Sequence, residues 1–175
     1  MRADAQRNRA RVLAVAAEIF ASEGLSVPVH EIARRAGVGT GTVSRHFPTK
    51  EDLFAAVLLD RMRELSERAD ALTGRPGAFF AFFAALVREG ATHRGLAEAL
   101  GGAGFDVDAA AARAGYDVSA RLRALLAAAQ EAGEVRPGIT FPDVKALMAG
   151  CLTADPADPS ALDRLIDVVS GGLRP

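Results

Sequence analysis

Residues 27–50, VPVHEIARRAGVGTGTVSRHFPTK, form the stretch whose reading decides the fold. Val29, Ile32 and Ala33 recur at helical spacing and give a first helix one apolar stripe. Pro28 suits its opening, because the N–H that proline lacks would have no partner there. Gly37 follows Ala36 where a helix end commonly takes a left-handed backbone, and Val38 then turns inward. A second helix starts near Thr40, and Pro48 closes it one residue after Phe47. Helix, tight glycine turn and short helix predict a helix-turn-helix.

The second helix sorts its residues by face. At about 100° per residue, Val43 and Phe47 fall together and face a core. Gly41 and Arg45 fall opposite, flanked by Thr42 and Ser44. That outward face holds a glycine, two hydroxyls and one guanidinium, with no bulky apolar group. It can approach a major groove closely, where Arg pairs with guanine and Thr meets a base edge or a thymine methyl. A small polar face can also do no more than meet water; the glycine-turn setting favours the groove.

The run from Arg11 to Leu59 resembles the DNA-binding domain of the tetracycline-repressor (TetR) family. The matching elements are VLAVAAEIFASEGL, then HEIARRAGV, then GTGTVSRHFPTKEDLF, in that order and spacing. Gly41, His46, Phe47 and Lys50 stand where the family pattern has them. Ser44 departs from the family's phosphate-contacting tyrosine, and Pro28 from the Ser or Thr that often caps the helix. Both departures remove phosphate contacts that the resemblance otherwise implies. It implies DNA contacts from Thr40, Gly41, Thr42, Ser44, Arg45, His46, Thr49 and Lys50, and phosphate contacts from Arg7, Asn8 and Arg9 at the start of the first helix. A solvated basic terminus is the other reading of those last three.

Charge is distributed accordingly. The chain of 175 residues has a net charge of −1, but residues 1–50 carry eight Lys/Arg against four Asp/Glu. Residues 51–175 carry thirteen against eighteen. A basic head on an acidic body suits one end facing phosphates. Val12, Leu13, Ala16, Ile19 and Phe20 form a stripe on which the helix-turn-helix packs, and Gly24 ends that helix. Thr49, with Asp52 three residues on, caps a third helix. Lys50 in its first turn opposes the helix dipole, and a DNA phosphate docking there would give the lysine a purpose. Leu53, Phe54, Val57, Leu58, Met62 and Leu65 carry one stripe to about Ala71, a rod leaving the head.

Beyond the break at Gly74, four of the nine phenylalanines crowd one helix (Phe79, Phe80, Phe82, Phe83), with Leu86 and Val87. Apolar side chains on nearly all sides predict a helix buried almost all round. A short helix over Gly95–Gly104 lies between glycine-rich loops and is expected to be the mobile part of the body. One long helix is expected over Val107–Ala132, with a local irregularity at Gly115 and Tyr116. The last two helices are expected over Phe141–Thr153 and from Ala157 or Pro159 to Ser170, joined by ADPADP.

The resemblance implies an all-α fold of about nine helices. A helix-turn-helix domain occupies residues 1–50, a connecting helix 51–71, and a ligand-binding and dimerisation domain 51–175. It places an effector pocket at Met62, Phe79, Phe83, Leu86, Tyr116, Leu122 and Met148, where core packing is the alternative for each apolar residue. Tyr116 could instead bond to backbone. Val144, Leu147 and Cys151, with Leu162, Leu165, Ile166 and Val169, are expected to pair with a second copy as a four-helix interface. Closing the chain's own core is the other use for such stripes. A head of this kind gains specificity by reading two half-sites through a two-fold axis.

The implied function is a homodimeric, ligand-responsive transcriptional regulator, a repressor of palindromic operator DNA released by an apolar or aromatic small molecule. The alternative is a ligand-sensing or interaction dimer with weakened DNA binding. Absence of tryptophan argues against close kinship with butyrolactone-sensing members of the family. An enzyme is not expected, nor a cofactor. His30-Glu31 begins a zinc motif, but Arg34 stands where the second histidine would be. Gly37–Gly41 has neither a preceding strand nor a following Gly-Lys-Ser/Thr, as a phosphate loop requires. Cys151, the single cysteine, makes no internal disulfide and reads as a packing residue. With no apolar signal segment after Met1–Arg11 and no run of membrane-spanning length, a cytoplasmic location without a membrane partner is expected.

Overall fold

The computed structural model describes residues 2–155, 157–158 and 160–175, with side chains from residue 4 onward. All its regular elements are helices: α1 Arg2–Glu23, α2 Val29–Arg35, α3 Thr40–His46, α4 Lys50–Leu72, α5 Ala78–Thr92, α6 Arg94–Gly102, α7 Val107–Arg113, α8 Val118–Glu131, α9 Phe141–Cys151 and α10 Ala161–Leu173. Ten helices among the described residues, rather than nine, follow from one break. At Gly115 the backbone takes φ +86°, and Asp117 then accepts the Ala120 N–H at 2.8 Å to start α8. The expected 107–132 helix is therefore two, because a capping carboxylate follows a residue free to turn left-handed.

The chain divides into two compact units, residues 1–63 with 93–114, and residues 64–92 with 115–175. In the first unit, Val12, Leu13, Ala16, Ile19 and Phe20 of α1 are buried with Ile32 and Ala33 of α2, Val43 of α3 and Leu53, Val57 and Leu58 of α4. Phe20 meets Phe54 edge-on, with centroids 4.9 Å apart, a favoured aromatic geometry. Leu96 and Leu100 of α6 are 2% exposed and belong to this same core. The division thus differs from a boundary at residue 50: α6 and α7, expected in the body, complete the core of the head.

In the second unit, α5 packs on α8, α9 and α10. Phe79, Phe80, Phe82 and Phe83 are all buried, as their spread around the helix requires. Arg121 bonds Asp70 at 2.9 and 3.1 Å, and Arg88 bonds Asp163 at 3.0 and 2.8 Å. Thr140 and Asp143 form a reciprocal capping box that starts α9. The chain's end is held by Arg136, whose N–H donates to the Leu173 carbonyl at 3.0 Å, and by Arg174, 4.1 Å from the Phe80 ring centroid. α9 ends at Cys151 and α10 begins at Ala161. Pro156 in the expected proline turn, and Pro159 as one expected helix start, lie outside the described residues.

Candidate nucleic-acid interface

Pro28 precedes α2 rather than opening it, with φ −74° and ψ 149°. Its carbonyl accepts the Glu31 and Ile32 N–H groups at 3.0 and 3.4 Å. At the far end Gly37 takes φ +63°, which lets Val38 donate back to the Ala33 carbonyl at 3.0 Å. That closing bond satisfies an end carbonyl and reverses the chain sharply. Gly39 precedes α3 and offers no side-chain cap; its carbonyl accepts from Thr42 at 2.9 Å. Val43 is fully buried and Phe47 is 5% exposed, so two anchors fix the roll of α3. Thr40, Gly41, Ser44, Arg45 and His46 lie exposed, and Thr42 is half-buried.

The cations around this face are not equivalent. Glu31 accepts from Arg34 at 2.8 and 2.7 Å and from Arg35 at 2.7 Å, and Arg35 continues to Glu23 at 3.0 Å. This ties α2 to the end of α1. The bonds from Arg34 and then Arg35 hold the Glu31 carboxyl down to about 2. Arg34 and Arg35 are thereby neutralised. Arg7 pairs with Asp4, and Arg11 bonds Asn8 at 2.8 Å. Arg9, Arg45 and Lys50 have no acidic partner among the described residues. Arg9 stacks on the Phe47 ring, 5.5 Å from its centroid. Lys50 lies 5.8 Å from the Phe54 centroid. Arg45 donates from Nε to the Gly41 carbonyl at 3.0 Å, which leaves its two terminal nitrogens for another acceptor. Thr49 and Asp52 cap α4 reciprocally at 2.8–3.0 Å. Asp52 thus fills the carboxylate role of a full capping box.

Of the predicted pocket residues, Phe79, Phe83, Leu86 and Leu122 are buried and Tyr116 and Met148 half-buried in the second unit. Met62 is half-buried and belongs to the first. A cleft of about 230 Å³ opens between the α4–α5 turn and α8. Phe79 alone of the predicted set lines it; Arg75, Leu125 and Glu134, which sequence reasoning did not assign to a pocket, line it too. Nothing in their local sequence marks them, since they meet only through folding.

The expected dimer stripe is split by the packing of α9 and α10. Val144, Cys151 and Ile166 are buried within their own chain. Burial also raises the Cys151 thiol above its ordinary value. Leu147, Leu162 and Val169 are half-buried. Leu165 is 36% and Val168 71% exposed, and Val168, which the expected stripe does not include, shares a helix face with Leu165 three residues away.

A glycine-turned helix pair with an open, cation-bearing second helix, joined to a separate helical unit, defines a helix-turn-helix DNA-binding protein. Residues 12–57 match the family model of the bacterial regulatory proteins of the TetR family, and residues 76–175 that of the SbtR-like transcriptional regulator C-terminal domain. The chain belongs to the TetR family and is a transcriptional regulator, not an enzyme. It is 46% identical to a TetR regulatory protein of Mycobacterium vanbaalenii, covering 99% of each chain with a TM-score of 0.80. A TetR regulator of Streptomyces coelicolor is 32% identical over 95% of this chain and 98% of its own, with a TM-score of 0.79. An HTH-type transcriptional regulator of Staphylococcus aureus is 43% identical over 54 residues, which are 30% of this chain and 29% of that relative's length. A γ-butyrolactone receptor, 24% identical over 98% of this chain and 90% of its own, shares the fold at a TM-score of 0.62. Among the described residues no group of side chains could hold a metal ion, and no helix is long and apolar enough to cross a membrane.

Proposed function

We propose that this regulator is a cytoplasmic repressor that binds a palindromic operator as a homodimer and leaves it when a small molecule occupies the second unit. The observation that carries the reading is the open face of α3, with Arg45 exposed above Gly41 and anchored from beneath by Val43 and Phe47. Arg45 reads guanine in the major groove through its terminal nitrogens. Thr42 and Ser44 flank it, while Lys50, Arg9 and the N-terminus of α4 take phosphates and set register. Two copies related by a two-fold axis present two α3 helices to half-sites about 34–36 Å apart, or a multiple of that. Leu162, Leu165, Val168 and Val169 of α10 form the apolar surface for that pairing.

Effector release is a linkage between two states. α4 is one unbroken helix whose first part lies in the first unit and whose last part lies in the second. A ligand that favours one setting of α4 changes operator affinity by its differential binding energy, about 1–3 kcal/mol. The test is a gel-shift with the DNA flanking its own gene at several salt concentrations. A repressor of this kind binds with a steep salt slope. A sensor whose head has lost DNA, the reading that Ser44 and the single arginine of the α3 face would favour, gives no shift at any salt.

A further inference from the structure

We propose that the cleft between the α4–α5 turn and α8 is a binding site for a small apolar carboxylate, with Arg75 as its counter-ion. The inference rests on reading the second unit as effector-binding and supplies the site and the ligand class.

Four observations on this cleft converge. Ala128 and Ala132, four apart on α8, present only methyl groups and leave open the space beside Phe79 and Leu125. Its walls are held in place before any ligand arrives: Gly74 and Gly77 take φ +78° and +71°, and both Glu134 carboxylate oxygens accept the Gly77 N–H at 3.1 Å. The Asp70–Arg121 pair fixes the end of α4 to α8 at 2.9 and 3.1 Å. Pre-formed apolar walls with a few fixed polar groups are the usual make-up of a small-molecule site.

Charge selects the ligand. Arg75 is the one cation lining the cleft and has no acidic partner among the described residues. Glu134 is the one anion lining it, and its carboxylate is engaged at the N-terminus of α5, whose first turn contains no acidic residue. The positive end of that 15-residue helix offsets the Glu134 charge. The guanidinium is left to select a carboxylate, which it can bind with two parallel hydrogen bonds. Size narrows the class further. At about 230 Å³ the space lies below the roughly 300–1,000 Å³ of drug-sized sites and takes a single ring or a short acyl chain.

The experiment titrates the full-length, isotope-labelled protein with benzoate, hexanoate and benzylamine and follows amide and methyl resonances. Benzoate or hexanoate is expected to shift signals from Phe79, Leu125 and Ala128, and benzylamine is not. Arg75→Ala weakens the carboxylates about tenfold, the weight of one charge-assisted hydrogen bond, and Arg75→Lys recovers part of that. Ala128→Phe fills the cleft from an exposed position and abolishes binding while the melting temperature holds. Benzylamine binding as tightly as benzoate, unaltered carboxylate binding in Ala128→Phe, or no carboxylate binding at all overturns the proposal. A gel-shift on the same samples separates the two claims. A protein that binds operator but no carboxylate keeps the repressor reading and loses this site. One that takes benzoate in the cleft with operator affinity unmoved keeps the site and loses its effector role.

Discussion

The Arg9 guanidinium rests 5.5 Å from the centroid of the Phe47 ring, which seats the beginning of α1 against the end of the recognition helix α3. Phe47 faces two ways. Its 5% exposure anchors α3 in the core, and its remaining edge orients a cation toward the surface that α3 presents. Phe47→Ala should destabilise the protein by about 3–5 kcal/mol, the range for emptying a buried aromatic site, measured by urea unfolding. Arg9→Ala should leave the unfolding midpoint within a few tenths of a molar of wild type and weaken DNA binding.

Arg45→Ala and Lys50→Ala should fail in different ways. The first is expected to cost about 1–3 kcal/mol against the preferred operator and to flatten preference at one base position. The second is expected to weaken all sequences alike and reduce the salt slope by about 1. Competition binding against operators varied one base at a time distinguishes them. Full selectivity in Arg45→Ala would refute its role as a base reader.

Gly37 holds φ +63° at the turn between α2 and α3, and an added Cβ would meet no neighbouring atom there. Any cost of Gly37→Ala is therefore backbone strain, about 1–2 kcal/mol in the left-handed region. Thermal unfolding by circular dichroism should show it. Gly41→Ala has neither a positive φ nor a close neighbour, so its melting temperature should rise slightly or stay level.

Acid should weaken the bonds by which Glu31 holds Arg34 and Arg35 along α2. The Glu31 carboxyl is held at about 2 in the folded chain by Arg34 and Arg35, below its ordinary value of 4.5. A depressed folded value means that its stabilising contribution is fully present above the unfolded value and is lost as pH falls from about 4.5 toward 2. Exposure and salt keep the effect small. Glu31→Gln should have a flatter stability profile than wild type across that window, followed by melting temperature at low ionic strength.

Leu165 and Val168 supply the exposed apolar part of α10, whereas Ile166 lies in the core at 3% exposure. Val168→Asp with Leu165→Asp should leave the fold intact and yield monomers by light scattering. Ile166→Ala should instead cost about 2–5 kcal/mol of stability. Persistence of the dimer in the double variant would place the interface elsewhere.

Local signals carried far in this sequence. The spacing of Ile32, Ala33, Val43 and Phe47, with a glycine where the chain must turn left-handed, is enough to place α2, α3 and their faces. Thr49 and Asp52 announced the start of α4 by chemistry confined to four residues. Features made by distant residues were hidden. Residues 95–104 read as a short helix between glycine-rich loops, and nothing local tells that Leu96 and Leu100 share a core with Val12 and Leu13. The division of α9 and α10 into inward and outward residues is equally hidden, because each apolar stripe is wider than the part its own chain covers and periodicity cannot say which part that is. The charge total of residues 1–50 includes Arg34 and Arg35, but their pairing with Glu31 and Glu23 depends on how α2 meets the end of α1. The α7–α8 break required weighing Gly115 and Asp117 together.

Because Leu96 and Leu100 sit in the same core as α1, the DNA-reading head is discontinuous in sequence. A ribosome that has released only residues 1–63 has made every helix of the DNA-reading motif but not the lid of its core. The nascent head stays unfinished until the chain has grown past residue 100, with α5 already synthesised in between. For the same reason, a fragment cut at residue 63 would lack Leu96 and Leu100 and leave the part of the core they fill open to water.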